Sequence, residues 1–169
     1  MVRLFPIAAI AAIAIASPVF AKMLTFRATL TGTAAPTITG SPARGTATIK
    51  VDTRSKRVSV DLDVTGVTLD QLADALVAKP IGPVHFHEYR GPDDVELVLP
   101  LPYGSDYRAT ENGFHVTMRD YDYDAGAKLV NTGTTFEEFV NGLRGGRIVL
   151  NVHTDKFPDG EISGKAMPR

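Results

Sequence analysis

Cysteine is absent from the 169 residues of this chain. Its absence excludes disulfides, iron–sulfur clusters and thiolate nucleophiles, and it leaves imidazole nitrogen and carboxylate oxygen as the ligands for any metal ion. A surplus of one charge is also absent, since 18 Lys and Arg residues stand against 19 Asp and Glu residues. Without a basic block, we expect neither nucleic acid nor an anionic membrane surface as a partner.

Long apolar runs are confined to the start of the chain, so we expect no membrane span in the mature protein. Arg3 precedes an apolar stretch rich in Ala and Ile that ends at Val19-Phe20-Ala21. This order is typical of a secretory signal peptide, residues 1–21, cleaved after Ala21. We therefore predict a periplasmic or secreted protein. Its mature chain, residues 22–169, would be a single domain with a formal charge of −2 once Arg3 is removed.

Alternation of apolar and polar residues dominates the mature chain and predicts β-strands. The predicted strands cover residues 24–30, 46–51, 57–64, 84–89, 95–101, 113–118, 147–154 and 161–166. Residues 68–78 and 136–143 have helical spacing instead, and Thr68 with Gln71 resembles a capping box. Short strands separated by turns indicate an all-β protein, an antiparallel sandwich or barrel with two short crossover helices.

All four histidines of the chain occupy the same position relative to the predicted core. They are His85, His87, His115 and His153. In the strand over residues 84–89, His85 and His87 alternate with apolar residues, so both imidazoles project from the non-core face with Cβ atoms ~7 Å apart. His115 and His153 have the same parity in their own strands, so all four imidazoles can converge if those strands are neighbours.

Three or four imidazoles without thiolate suit Cu(II) or Zn(II), so we predict a metal site, with copper as the ion and zinc as the alternative. Arg90, Arg144 and Arg147 are candidates for guiding an anion to it, although solvated surface charges are the simpler interpretation. Spacing alone does not show which strands are adjacent. The interpretation that the histidines only form hydrogen bonds across a sheet face therefore stays open.

Five short motifs, in order, resemble the CHRD domain, named for chordin. They are Phe26-Arg-Ala-Thr-Leu-Thr-Gly32, Gly45-Thr-Ala-Thr-Ile49, Val84-His-Phe-His87, Val149-Leu-Asn-Val-His-Thr154 and Pro158-Asp-Gly-Glu-Ile-Ser-Gly164. The resemblance implies an immunoglobulin-like or superoxide-dismutase-like Greek-key sandwich, and it carries over His85, His87 and His153 but not His115. Ser163 departs from the family's usual Arg, and residues 68–78 look like an insertion.

The His-x-His strand is also similar in layout to the copper site of copper–zinc superoxide dismutases, whose zinc loop and disulfide have no counterpart here. Three functions follow as hypotheses. The first is an exported copper-binding protein acting as a copper-only superoxide dismutase, and the second is a copper storage or delivery protein without turnover. The third is a structural or adhesive extracellular module without metal. Exported sandwiches often pair with a second copy, so a homodimer remains an open expectation.

Overall fold

The fold is known from a computed structural model, which describes residues 22–91 and 93–169. The predicted signal peptide lies outside these residues. The strands are β1 (Met23–Thr31), β2 (Arg44–Asp52), β3 (Arg57–Thr65), β4 (Val84–Tyr89), β5 (Val95–Leu101), β6 (Tyr107–Thr110), β7 (Gly113–Asp122), β8 (Ile148–Val152), β9 (Ile162–Lys165) and β10 (Met167–Pro168). The helices are α1 (Asp74–Val77), α2 (Tyr123–Leu129) and α3 (Phe136–Arg144). Among the described residues, none of the helices has the length and apolar character needed to cross a membrane.

The strands form one antiparallel sheet in the order β5-β4-β8-β9-β1-β2-β3-β7-β6, with β10 added beside β1. The sheet curls into a half-barrel, which confirms the predicted all-β, sandwich-like fold. Its two edge strands, β5 and β6, follow one another in the chain. The Tyr107 hydroxyl on β6 donates to the Leu101 carbonyl on β5 at 2.7 Å, so the curl brings the two edges together.

The core fills the inside of the curl because one face of each strand is apolar. In the β2–β3 hairpin, Ile49 and Leu62 are fully buried, whereas the paired residues Thr48 and Asp61, which precede them in sequence, point outward. Burying an Ile or Leu side chain stabilises a fold by about 1.5–3 kcal/mol. On the β4–β8 side, α3 closes the core, since Phe139 packs edge-on against Phe86 with ring centroids 6.3 Å apart.

The eight predicted strands are confirmed, and so is the helix predicted over residues 136–143. Thr135 and Glu138 form a reciprocal capping box at the start of α3. The helix predicted over residues 68–78 is wrong in extent, because only a 3-10 turn at Leu69–Gln71 and the four-residue α1 are helical. Between them, Leu72 is fully buried in an extended conformation and bridges Thr154, so tertiary packing overrides the helical spacing.

Candidate metal centre

Three of the four predicted ligands meet at one place. His85, His87 and His153 each offer a ring nitrogen within 4.8 Å of the other two. The rings of His85 and His153 stack with centroids 4.3 Å apart, and His87 meets His85 edge-on at 4.8 Å. We call these three residues the imidazole cluster.

Adjacent strands explain the meeting of the imidazoles. β4 supplies His85 and His87, and β8 lies beside it with Asn151 directly opposite His85. His153 follows β8 and continues the ladder, because its backbone N–H donates to the Pro83 carbonyl at 2.8 Å. Side chains two residues apart on a strand share a face, so the predicted parity places all three rings on one side of the sheet.

The edge strand β5 carries a β-bulge beside the two histidines of β4. The pairing with β5 shifts between Phe86, opposite Leu99, and His87, opposite Leu97. The extra residue is Val98 on β5, so the pairing of β4 with β8 stays regular through both histidines. The rings of His85 and His87 stand at 66° to each other rather than parallel.

Backbone carbonyls orient two of the rings. His85 donates from Nδ1 to the Gly82 carbonyl at 2.9 Å, and His153 donates from Nδ1 to the Pro158 carbonyl at 2.8 Å. A proton held on Nδ1 leaves the Nε2 lone pair free, which is how metal-binding histidines are commonly oriented. Gly82 has φ +69°, and a Cβ there would collide with the Leu101 carbonyl, so this carbonyl position depends on glycine.

Glu161 anchors the loop that carries the Pro158 carbonyl. Its carboxylate is buried and accepts hydrogen bonds from Ser41 at 2.6 Å and from Thr154 at 2.8 Å. Both oxygens are therefore occupied, and the segment from Thr154 to Glu161 is held against the imidazole cluster.

Unpaired polar atoms mark the same place. Among the described residues, the buried side-chain nitrogen and oxygen atoms without a hydrogen-bond partner are His87 Nδ1, His153 Nε2 and Asn151 Oδ1. Burying such an atom without a partner costs about 1–3 kcal/mol, so folded proteins rarely keep one without a reason. All three belong to the imidazole cluster or to the residue opposite His85.

Burial also keeps the imidazoles neutral. It lowers the pKa of His85 from 6.5 to about 3, with smaller contributions from His153 and His87. It lowers the pKa of His87 to about 4, and it lowers the pKa of His153 against the opposing effect of the Pro158 carbonyl. Neutral imidazole is the form that binds metal, so the lone pairs are available at physiological pH.

The donor set fits a divalent ion of the copper and zinc class. A tetrahedral ion about 2.0–2.1 Å from each nitrogen separates its ligands by roughly 3.4 Å, and a pair on opposite sides of such an ion by about 4 Å. Ring nitrogens within 4.8 Å of one another reach these distances through small ring movements. Three imidazoles fill three positions and leave one open for another ligand.

His115 lies elsewhere, so the structure does not bring its imidazole together with the other three. It stands on β7, which pairs with β3 rather than with β4 or β8. His115 donates from Nδ1 to Asp63 at 2.7 Å, and its Nε2 shares a hydrogen bond with Thr117 at 2.6 Å. Asp61, Asp63 and His115 form a second group with close ligand atoms, but its ring nitrogens already have partners.

The arginines predicted to guide an anion do not line the imidazole cluster. Arg90 and Arg147 bind the two oxygens of Glu88, at 2.7 Å and 3.0 Å. Glu88 is buried on the face of β4 that packs against α3, opposite to the imidazoles. Arg144 lies exposed at the end of α3 and contacts Asn141.

Comparison with known proteins identifies the family of the chain. A family model of the CHRD domain matches residues 26–166. The chain belongs to the CHRD domain family. Comparison with curated proteins and with solved structures gave no match. CHRD domains are modules of extracellular or secreted proteins.

Within this CHRD domain, the sequence motifs identify the three imidazoles but not the groups that orient them. The Gly82 and Pro158 carbonyls are backbone atoms, which have no side-chain signature in the sequence. The parity of Asn151 with His153 was the available signal for the third unpaired atom. Burial of the cluster was also missed, since loops cover a face that alternation alone predicts to be open.

Proposed function

We propose that this CHRD domain is an exported copper-binding module whose ion is held by His85, His87 and His153. The observation that carries the proposal is the set of ring nitrogens left without partners at one buried place. A stabilising role for these histidines does not account for it, because unpaired buried nitrogens destabilise a fold.

Copper is favoured over zinc by the donor set. The three ligands are neutral nitrogens, and the group contains neither carboxylate nor thiolate. For a given nitrogen site, affinity among divalent first-row ions is greatest for Cu²⁺. Export, which the predicted signal peptide supports, would place the site where free thiols do not compete for copper.

The chain would hold the ion with three imidazoles, orient two of their rings by hydrogen bonds and shield the site from solvent. The Gly82 and Pro158 carbonyls keep the Nδ1 protons of His85 and His153, and so turn both Nε2 atoms to a common ion. Those two rings are 2% and 5% exposed, whereas His87 is partly exposed, so small ligands would approach from the side of His87. When bound, copper would supply a one-electron couple at that opening.

Titration with Cu(II) tests the proposal. We expect one copper ion per wild-type chain and, for the His85→Ala/His87→Ala variant, an affinity lower by at least about a hundredfold, since even changes behind the ligands cost 10–100-fold. Isothermal titration calorimetry and metal analysis after gel filtration measure both quantities.

His115→Ala is the matched control, because it removes a histidine from the same sheet but outside the imidazole cluster. It is expected to bind copper as the wild type does. Equal copper binding by the wild type and the double variant would contradict the proposed site, and equal affinity for Cu(II) and Zn(II) would contradict the proposed ion.

Superoxide dismutation is the second candidate for the same site. It is favoured by the partial exposure of His87, which would let a small anion reach a copper ion held there, although Arg90 and Arg147 are engaged by Glu88 instead of lining the approach. We expect copper-loaded protein to accelerate superoxide decay in pulse radiolysis above the His85→Ala/His87→Ala variant treated in the same way. Equal decay would reject the enzyme and leave a binding protein without turnover.

A further inference from the structure

Asn151 is the one member of the unpaired set that is not an imidazole. Its side chain is 1% exposed, and its Oδ1 has no hydrogen-bond partner among the described residues. An amide oxygen buried in this way loses its hydrogen bonds to water and gains none from the protein. This unpaired oxygen lies where β8 pairs with β4, directly opposite His85.

The surroundings of Asn151 place its amide beside the imidazole cluster. It shares a face of β8 with His153 and stands directly opposite His85. The position that a Cβ would take on Gly160 is 3.4 Å from Asn151 Nδ2 and 3.8 Å from His153 Cε1, so both side chains border the same point. The nitrogen end of the amide lies on the Gly160 side, and the unpaired oxygen lies farther from that loop.

The neighbouring strand β9 provides a comparison, a buried polar side chain that has a hydrogen-bond partner. Ser163 on β9 stands opposite Asn151 in register and is fully buried. Its hydroxyl is hydrogen-bonded to Thr37 at 2.8 Å. The Asn151 amide lies within hydrogen-bonding reach of the Tyr89 hydroxyl. Among the described residues, however, its oxygen has no partner, whereas the Ser163 hydroxyl has one.

We propose that Asn151 Oδ1 accepts a hydrogen bond from a small donor ligand, water in the resting site, that occupies the fourth position of the ion held by the imidazole cluster. This inference rests on the proposed function. Asn151 is then a positioning residue that favours ligands with a proton to donate and disfavours anions that present only lone pairs. Superoxide is such an anion, so the inference favours copper binding over dismutation at this site. The class of exogenous ligand it selects is water and other small O–H donors.

Azide is the probe, since it binds copper through a nitrogen lone pair and has no proton to donate. With the acceptor removed, azide displaces a water that is held less tightly. A hydrogen bond contributes about 1 kcal/mol, so we expect Asn151→Ala to bind azide about fivefold tighter with copper affinity unchanged. The copper–azide absorption band, titrated in the copper-loaded protein, measures this.

Two further variants complete the test. Asn151→Leu also lacks the acceptor and leaves no room for a substitute water, so it is expected to bind azide tighter as well. Ser163→Ala removes a buried hydroxyl that has a partner and is expected to leave azide affinity within twofold of the wild type.

The remaining outcomes overturn either this inference or the proposed function. Azide affinity within twofold of the wild type in both Asn151 variants overturns the inference. Weaker azide binding overturns it too, because the amide nitrogen would then face the ligand. A tenfold loss of copper affinity in Asn151→Ala would make Oδ1 a metal ligand and also overturns it. A wild-type protein without stoichiometric copper rejects the proposed function itself.

Discussion

Acidification from pH 7.5 to pH 5 is expected to destabilise the metal-free protein by about 4 kcal/mol through His85 and His87 alone. The pKa of these imidazoles in the folded state is about 3 and about 4. In the unfolded chain it is about 6.5. Between these values the unfolded chain binds protons that the folded protein does not, so stability is full above pH 6.5 and falls as the pH drops towards 4.

Urea unfolding at pH 7.5, 6 and 5 in the presence of a chelator measures this effect. The His85→Ala/His87→Ala variant should lose most of the pH dependence in this window. Carboxylates titrate lower; the pKa of Glu96, for example, is held at about 2, chiefly by a hydrogen bond from Thr132. A wild-type free energy of unfolding that stays constant from pH 7.5 to 5 would mean that the imidazoles are not buried as neutral groups.

The alternation of apolar and polar side chains made most strands of the sheet predictable from the sequence. Alternation identifies eight strands, since a strand with one buried face repeats every two residues. β6 and β10 contain four and two residues and are too short for a pattern to appear. The sequence pattern also does not predict α2, because Gly126 lies within this short helix. The signal for its start is Asp122, whose side chain caps the first turn by accepting from the Ala125 N–H at 2.9 Å.

The parity of a residue predicts which face of the sheet its side chain occupies, but not which strand lies beside it. This explains why three of the four histidines meet and His115 does not. His85 and His153 meet because β4 and β8 pair. His115 has the same parity, but it lies on β7, which is separated from β8 by the four strands β9, β1, β2 and β3. Arg90 follows β4 with the parity of Phe86 and Glu88, so it lies on the face opposite to the imidazoles and binds the buried Glu88 there. Parity therefore accounts for Arg90, whereas the separation of His115 from the other histidines depends on long-range strand pairing, which local spacing does not show.

The strongest contrast between two histidines is expected from His87→Leu and His115→Leu. His87 has a buried Nδ1 without a hydrogen-bond partner among residues 22–91 and 93–169. Replacing it with an apolar side chain removes an unsatisfied group, so the metal-free protein should gain about 1–2 kcal/mol of stability at pH 7.5. Copper affinity should fall at least about a hundredfold, since a ligand is lost.

His115→Leu should lower the stability of the metal-free protein instead of raising it, because both ring nitrogens of His115 have partners, Asp63 and Thr117. Its side chain is 26% exposed, so the loss of stability should be modest, about 1 kcal/mol, and copper affinity should not change. Thermal unfolding and copper titration of the two variants measure all four quantities. Opposite signs of the stability change would show that the fold sacrifices stability at His87 to keep a ring nitrogen free for metal. Destabilisation by His87→Leu as large as that by His115→Leu would indicate an ordinary packing role for His87.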